Sequence, residues 1–130
     1  MDWTLARDAL SSHFEVVDSS DVFLALQLHA GERQQMVMVS FSEGDRGPSW
    51  LRIESAFAPV EPDAMSTAIQ YIGMDENLGV GIGRLQDFLV IRWTSPLEQL
   101  SNDVLIGMID GVAGHADRLE ASVSGGHDAF

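Results

Sequence analysis

The stretch Val22-Phe23-Leu24-Ala25-Leu26-Gln27-Leu28-His29 alternates without a break, with Val22, Leu24, Leu26 and Leu28 on one face and Phe23, Ala25, Gln27 and His29 on the other. Successive side chains of a pleated strand point to opposite sides, so this period of two predicts a β-strand with one apolar face. After Ala30-Gly31-Glu32 the same period resumes from Gln35 to Phe41, where Val37, Val39 and Phe41 alternate with Met36, Met38 and Ser40. Two alternating runs joined by a short glycine-bearing link predict an antiparallel hairpin. Beyond the polar loop Glu43-Gly44-Asp45-Arg46-Gly47-Pro48, Leu51, Ile53, Ser55 and Phe57 alternate with Trp50, Arg52, Glu54 and Ala56, which adds a third antiparallel strand.

On the N-terminal side of this core, Asp2 can cap a helix whose apolar positions Trp3, Ala6, Leu10, Phe14 and Val17 follow helical spacing. On the C-terminal side, Pro59 and Pro62 interrupt the sheet. Pro62 suits the first turn of a short helix with Met65, Ala68, Ile69 and Ile72 on one face and Gly73 at its end. Asp75-Glu76-Asn77 leads to Leu78, Val80 and Ile82 alternating with Gly79, Gly81 and Gly83, a fourth strand. A turn at Gln86-Asp87 opens the fifth, Phe88 to Thr94, which Ser95-Pro96 stops. Ser101 or Asn102 caps a long last helix carrying Leu105, Met108, Ile109, Val112, Ala116, Leu119 and Val123, with Ser124-Gly125-Gly126 at its end. The order αβββαββα predicts an α+β fold: a five-stranded, mainly antiparallel sheet with helices packed on one face. Residues 1–124 form one domain in this reading, and 125–130 a flexible tail.

The composition narrows the function. Of 130 residues, 20 are Asp or Glu and 7 are basic, all of them Arg, for a net charge of −13. Such a chain repels nucleic-acid backbones and anionic membranes, so neither is an expected partner. Without cysteine there is no disulfide, thiolate zinc site or cysteine nucleophile. Met1-Asp2-Trp3 carries no basic leader, and no apolar run approaches the roughly 18 residues of a membrane span, so a cytoplasmic location is expected.

Chemical motifs are scarce. Gly79-Val80-Gly81-Ile82-Gly83 has glycines at period two leading into another strand, whereas a phosphate cradle needs them in a strand-to-helix turn. Alternating glycines instead leave one strand face bare for a helix or a second copy of the chain. In the last helix Gly107, Gly111 and Gly114 share a face, which either packs closely or is merely tolerated. The histidines His13, His29, His115 and His127 form no ligand pair, and no serine lies in a Gly-x-Ser-x-Gly elbow. We therefore expect no catalytic residue, no metal and no cofactor, although paired carboxylates can work on any fold.

The more informative surface is the sheet face away from the helices, where Phe23, Ala25, Met36, Met38, Trp50, Ala56, Phe88 and Val90 gather. It is too apolar for simple solvation, and methionine adapts to varied hydrophobic partners. Met36, Met38, Trp50 and Phe88 are the candidate partner-binding residues, with Trp50 as anchor; a loop, the tail or a second subunit could equally cover the face. The second helix, with Met65, Ala68, Tyr71 and Ile72, has an apolar arc wider than one core needs. Together with Gly79, Gly81 and Gly83 it is the candidate homodimer contact.

The element order, the acidity, the bridge Ser95-Pro96-Leu97-Glu98-Gln99-Leu100-Ser101 and the helix segment Ala113-Gly114-His115-Ala116-Asp117-Arg118-Leu119-Glu120 resemble the YbjN family. That family is similar in fold to the class I type III secretion chaperones, the Tir-chaperone-like group, and the resemblance runs from Trp3 to Val123. It implies a non-enzymatic homodimer that binds segments of other proteins through apolar patches. By the same resemblance, dimerisation would use the second helix and the following strand, Asp63 to Ile72 and Leu78 to Leu85. The expected function is thus a protein-binding module, chaperone-like or an adaptor. A small acidic immunity or antitoxin-like protein masking a basic partner is the alternative, ahead of a small-ligand domain or enzyme.

Overall fold

In the computed structural model, which describes residues 1–30, 33–45, 47–73 and 79–124, the chain runs α1 (Trp3–His13), β1 (Glu15–Ser20), β2 (Phe23–Ala30), β3 (Arg33–Ser42), β4 (Trp50–Pro59), α2 (Pro62–Ile72), β5 (Gly81–Leu85), β6 (Phe88–Pro96), a 3-10 turn (Leu97–Gln99) and α3 (Asn102–Ser124). The six strands form one antiparallel sheet in the order β1-β2-β3-β4-β6-β5. The class is α+β, as the alternation predicts. The turn residues Gly31 and Glu32, Arg46, Asp75-Glu76-Asn77 with Leu78, and the tail with His127 lie outside the described residues.

The sheet has six strands rather than five. The expected helix to Val17 ends at His13, and Phe14 already has extended backbone. Glu15 to Ser20 pairs with β2 instead. Phe14 and Val16 are the half-buried pair against the core while Val17 is exposed, so period two governs this segment. Adjacent β-branched valines followed by Asp18-Ser19-Ser20 favour a strand and turn over another helical turn. Both expected helix caps exist. Leu5 N–H donates to Asp2 Oδ1 at 2.8 Å, and Val104 N–H donates to Ser101 Oγ at 3.3 Å, which makes Ser101 the cap of α3.

One face of the sheet meets all three helices. Leu24, Leu26, Val37, Val39, Leu51, Ile53, Leu89 and Ile91 are buried against Ala6 and Leu10 of α1, Ala64 and Ala68 of α2, and the stripe from Leu105 to Leu119 of α3. Each fully buried aliphatic side chain contributes roughly 1.5–3 kcal/mol, so this layer holds the fold together. α3, about 35 Å long by its 23 residues, crosses the middle of the sheet and supplies most of the helical half of the core. Inside the core, Gln35 Nε2 donates to Ser55 Oγ and to the carbonyl of Ala56, both at 2.8 Å, which fastens β3 to β4. Arg33 at the start of β3 reaches Asp117 at 2.6 Å and the buried Glu120 at 3.8 Å, tying that strand to the end of α3.

α2 is attached lightly. Its buried residues are Ala64 and Ala68, four apart, with Tyr71 and Ile72 partly covered. The face expected inside therefore turns outward in part: Met65 is exposed, and Ile69 is 68% exposed. Two alanines let the helix lie close, and that rotation carries the larger side chains into solvent. Among the described residues no helix is long and apolar enough to cross a membrane.

Candidate functional site

The register sets out the second sheet face in rows. Phe23, Ser40, Arg52 and Thr94 lie side by side across β2, β3, β4 and β6. The next row is Ala25, Met38, Glu54, Arg92 and Gly81, and the one after contains Ala56, Val90 and Gly83. Ala25, Glu54 and Val90 are buried without belonging to the core beneath the helices. Their own neighbours on this face shield them.

A cavity of about 380 Å³ runs over these rows, lined by Phe23, Met38, Ser40, Glu54, Ala56, Leu85, Gln86, Phe88 and Val90. A second hollow of about 240 Å³, lined by Met36, Met38, Ala56 and Phe88, shares three of those residues and continues it. The structure thus brings together three of the four candidate partner-binding residues, Met36, Met38 and Phe88. Trp50 stands apart, 41% exposed, beside a separate hollow of about 570 Å³ lined by Ser40, Phe41, Ser42, Trp50, Arg52 and Thr94. Ser40 is common to it and the apolar cavity.

An ion pair interrupts the apolar surface. Glu54 Oε2 accepts from Arg92 Nε at 2.8 Å and lies 2.6 Å from its Nη2. The Glu54 side chain is 4% exposed and that of Arg92 31%, so the carboxylate is held almost entirely by this guanidinium. The guanidinium in turn lies over Gly83, where a Cβ would fall 2.6 Å from its Cζ.

That contact changes the meaning of the glycine pattern. Gly79 lies in a turn at φ +89°, ahead of the strand that begins at Gly81, and the ring of Trp93 occupies the space where its Cβ would stand, 3.0 Å away. Two of the three glycines assigned to a second copy are thus filled from within the chain, while at Gly81 a Cβ would meet the carbonyl oxygen of Arg92 at 4.0 Å, a loose contact. Trp93 also lies 3.6 Å from the Cβ position of Gly111, an ordinary contact distance that a methyl group would tolerate, and Gly107 meets nothing within 4 Å. Of the other candidate dimer residues, Ala68 belongs to the core, Ile72 packs against it, and Met65 faces solvent. β5, at one end of the sheet, pairs with β6 alone among the described residues.

Tyr71, also assigned to that contact, takes part in a polar triangle between α2 and α3. Its hydroxyl lies 2.7 Å from His115 Nδ1; Arg118 donates from Nε to the hydroxyl at 3.1 Å and approaches His115 Nδ1 with Nη2 at 3.1 Å. A guanidinium only donates, so Nδ1 is the acceptor and the ring proton sits on Nε2. Burial, and then the positive charge of Arg118, hold the His115 pKa below its ordinary value. The spacing of His115 and Arg118 is legible as one helical turn, but Tyr71 is 44 residues away and nothing local announces it. Among the described residues no group of three His, Cys, Asp or Glu is placed to hold a metal ion. No protein-family model matches the chain, and no curated protein matches it either.

Proposed function

We propose that this protein is a non-enzymatic binding module, chaperone-like or an adaptor, whose uncovered sheet face receives an apolar segment of another protein. The observation that carries this reading is the continuous hollow formed by Phe23, Met36, Met38, Ala56, Phe88 and Val90 on the side of the sheet that no helix of the described residues covers. Apolar hollows with a few polar groups at their edge are the usual form of a recognition site, and methionine lets one surface fit several side chains. The net charge of −13 favours a segment flanked by Arg or Lys and speeds its approach at low salt. The YbjN-like assignment and the homodimer belong to the same proposal, the latter supported by exposed Met65 and Ile69 and by the outer edge of β5, which no other strand of the described residues pairs.

The test is Phe88→Asp, which puts a charge in the hollow at a residue already well exposed. The partner captured by the wild-type protein is identified by mass spectrometry, and its apolar segment is titrated against both proteins. Loss of binding in a variant with an unchanged melting temperature supports the reading. A folded Phe88→Asp variant that binds the same segment equally well refutes it.

A further inference from the structure

Six arginines lie in described positions, and five are engaged: Arg7 with the carbonyl of Ser20, Arg33 with Asp117, Arg84 with Asp87, Arg92 with Glu54, and Arg118 with Tyr71 and His115. Arg52 has no hydrogen bond or ion pair among the described residues, in a chain where acids outnumber bases almost threefold. It is exposed on the uncovered face, with the hydroxyl residues Ser40 and Thr94 directly opposite it on the two neighbouring strands and Trp50 two residues before it. The charged side chains of β4 and β6 are Arg52, Glu54 and Arg92. This middle part of the face therefore carries one positive charge in excess, against the sign of the whole protein.

Resting on the docking reading above, we infer that the segment received by this face is the C-terminal end of its partner, with the terminal carboxylate on Arg52 and the preceding apolar side chains in the hollow. A guanidinium presents paired N–H donors that match a carboxylate, and flanking hydroxyls can supply further donors. From Arg52 to Ala56 is four residues of strand, about 13 Å. An extended peptide ending at Arg52 thus lays its last side chain beside Trp50 and Ser40. Those two and four residues earlier fall over Met38 and over the Met36–Ala56–Phe88 hollow. Basic residues further upstream satisfy the long-range field, which at physiological salt is screened within about 8 Å and does not cancel a contact pair.

The probe is a dye-labelled octapeptide, Arg-Arg-Ser-Leu-Ser-Phe-Ser-Leu, made with a free C-terminal carboxylate and as the C-terminal amide, and followed by fluorescence anisotropy. The acid is expected to bind the wild-type protein about fivefold more tightly than the amide, the effect of one partly exposed ion pair. Arg52→Gln, an exposed change that leaves the melting temperature in place, is expected to erase that preference, and Phe88→Asp to weaken acid and amide together. Equal binding of acid and amide, both lost in Phe88→Asp, overturns the carboxylate assignment and leaves the docking reading standing. A preference that survives Arg52→Gln overturns the assignment as well. Binding of neither peptide, or binding that ignores Phe88→Asp, overturns both.

Discussion

Replacing Gly83 by alanine tests whether the glycine strand serves an internal side chain or an external partner. The added methyl would stand 2.6 Å from Cζ of Arg92 and 2.8 and 2.9 Å from its two terminal nitrogens. Optimal separation of such atoms is about 3.5–4.0 Å, so the guanidinium must shift by roughly 1 Å. A free arginine would do so at little cost, but this one holds Glu54 through contacts of 2.8 and 2.6 Å. Losing a hydrogen bond to a charged group costs about 1.5–3 kcal/mol, and unpairing a fully buried charge about 3–5. The Arg92 side chain is 31% exposed, so water recovers part of the loss, and the expected destabilisation is roughly 1–2 kcal/mol. For a domain of this size that is a fall of about 3–8 °C in melting temperature. The decisive measurement repeats the substitution in a Glu54→Leu, Arg92→Leu background. There no ion pair remains, and alanine should be neutral or should stabilise by up to about 1 kcal/mol through reduced backbone entropy. Equal destabilisation in both backgrounds, or a stabilised single variant, would refute the assignment of Gly83 to Arg92.

Three further outcomes follow from the same structure. Ile53→Ala, at a fully buried position of the helix-facing layer, should cost about 2–5 kcal/mol in urea unfolding, whereas Trp50→Ala on the other face should cost less than about 1; the reverse order would mean the faces are exchanged. Because His115 titrates below its ordinary value of about 6.5 when folded, the unfolded chain takes up the proton first as pH falls. Stability is therefore lost from about pH 6.5 downward until the folded form also protonates, and His115→Asn should show a shallower decline over that range. If α2 and the β5 edge join two copies, sedimentation equilibrium at tens of micromolar should give twice 14.2 kDa, and Ile69→Asp should return the monomer with no loss in melting temperature.

The sheet was legible where one face is buried and the other is not. β2, β3 and β4 alternate in sequence because each strand has one side in the core beneath the helices, and the pattern assigns Met36, Met38 and Phe88 to the opposite side without any knowledge of pairing. β1 was hidden because Phe14 and Val17 complete a helical spacing by coincidence, while the residue that reaches the core is Val16. The glycine run is legible only in part. Period two correctly marks a bare strand face, yet what fills a bare face is set by the neighbouring strand, and Arg92 and Trp93 come from β6. Arg52 shows the same limit: its place on the second sheet face follows from alternation, but its lack of a partner among the described residues depends on where each of their carboxylates goes.

The ion pair has a consequence for what the uncovered face can bind. A continuous apolar strip across β3, β4 and β6 would invite a second sheet to pack on it, since an uncovered apolar face is an association hazard. Glu54 and Arg92 break that strip between the Met36–Phe88 hollow and the Trp50 hollow. A flat apolar partner would have to desolvate the exposed third of Arg92 with nothing to replace its water. A narrow segment can instead lay apolar side chains on either side and present a backbone carbonyl over the guanidinium. The pair therefore discriminates against sheets and in favour of extended peptides. Glu54→Leu with Arg92→Leu should bind the peptide no more weakly through the hollow while self-associating at lower concentration. A double variant as monomeric as the wild type at high concentration would show that the pair serves only the internal cohesion of β4 and β6.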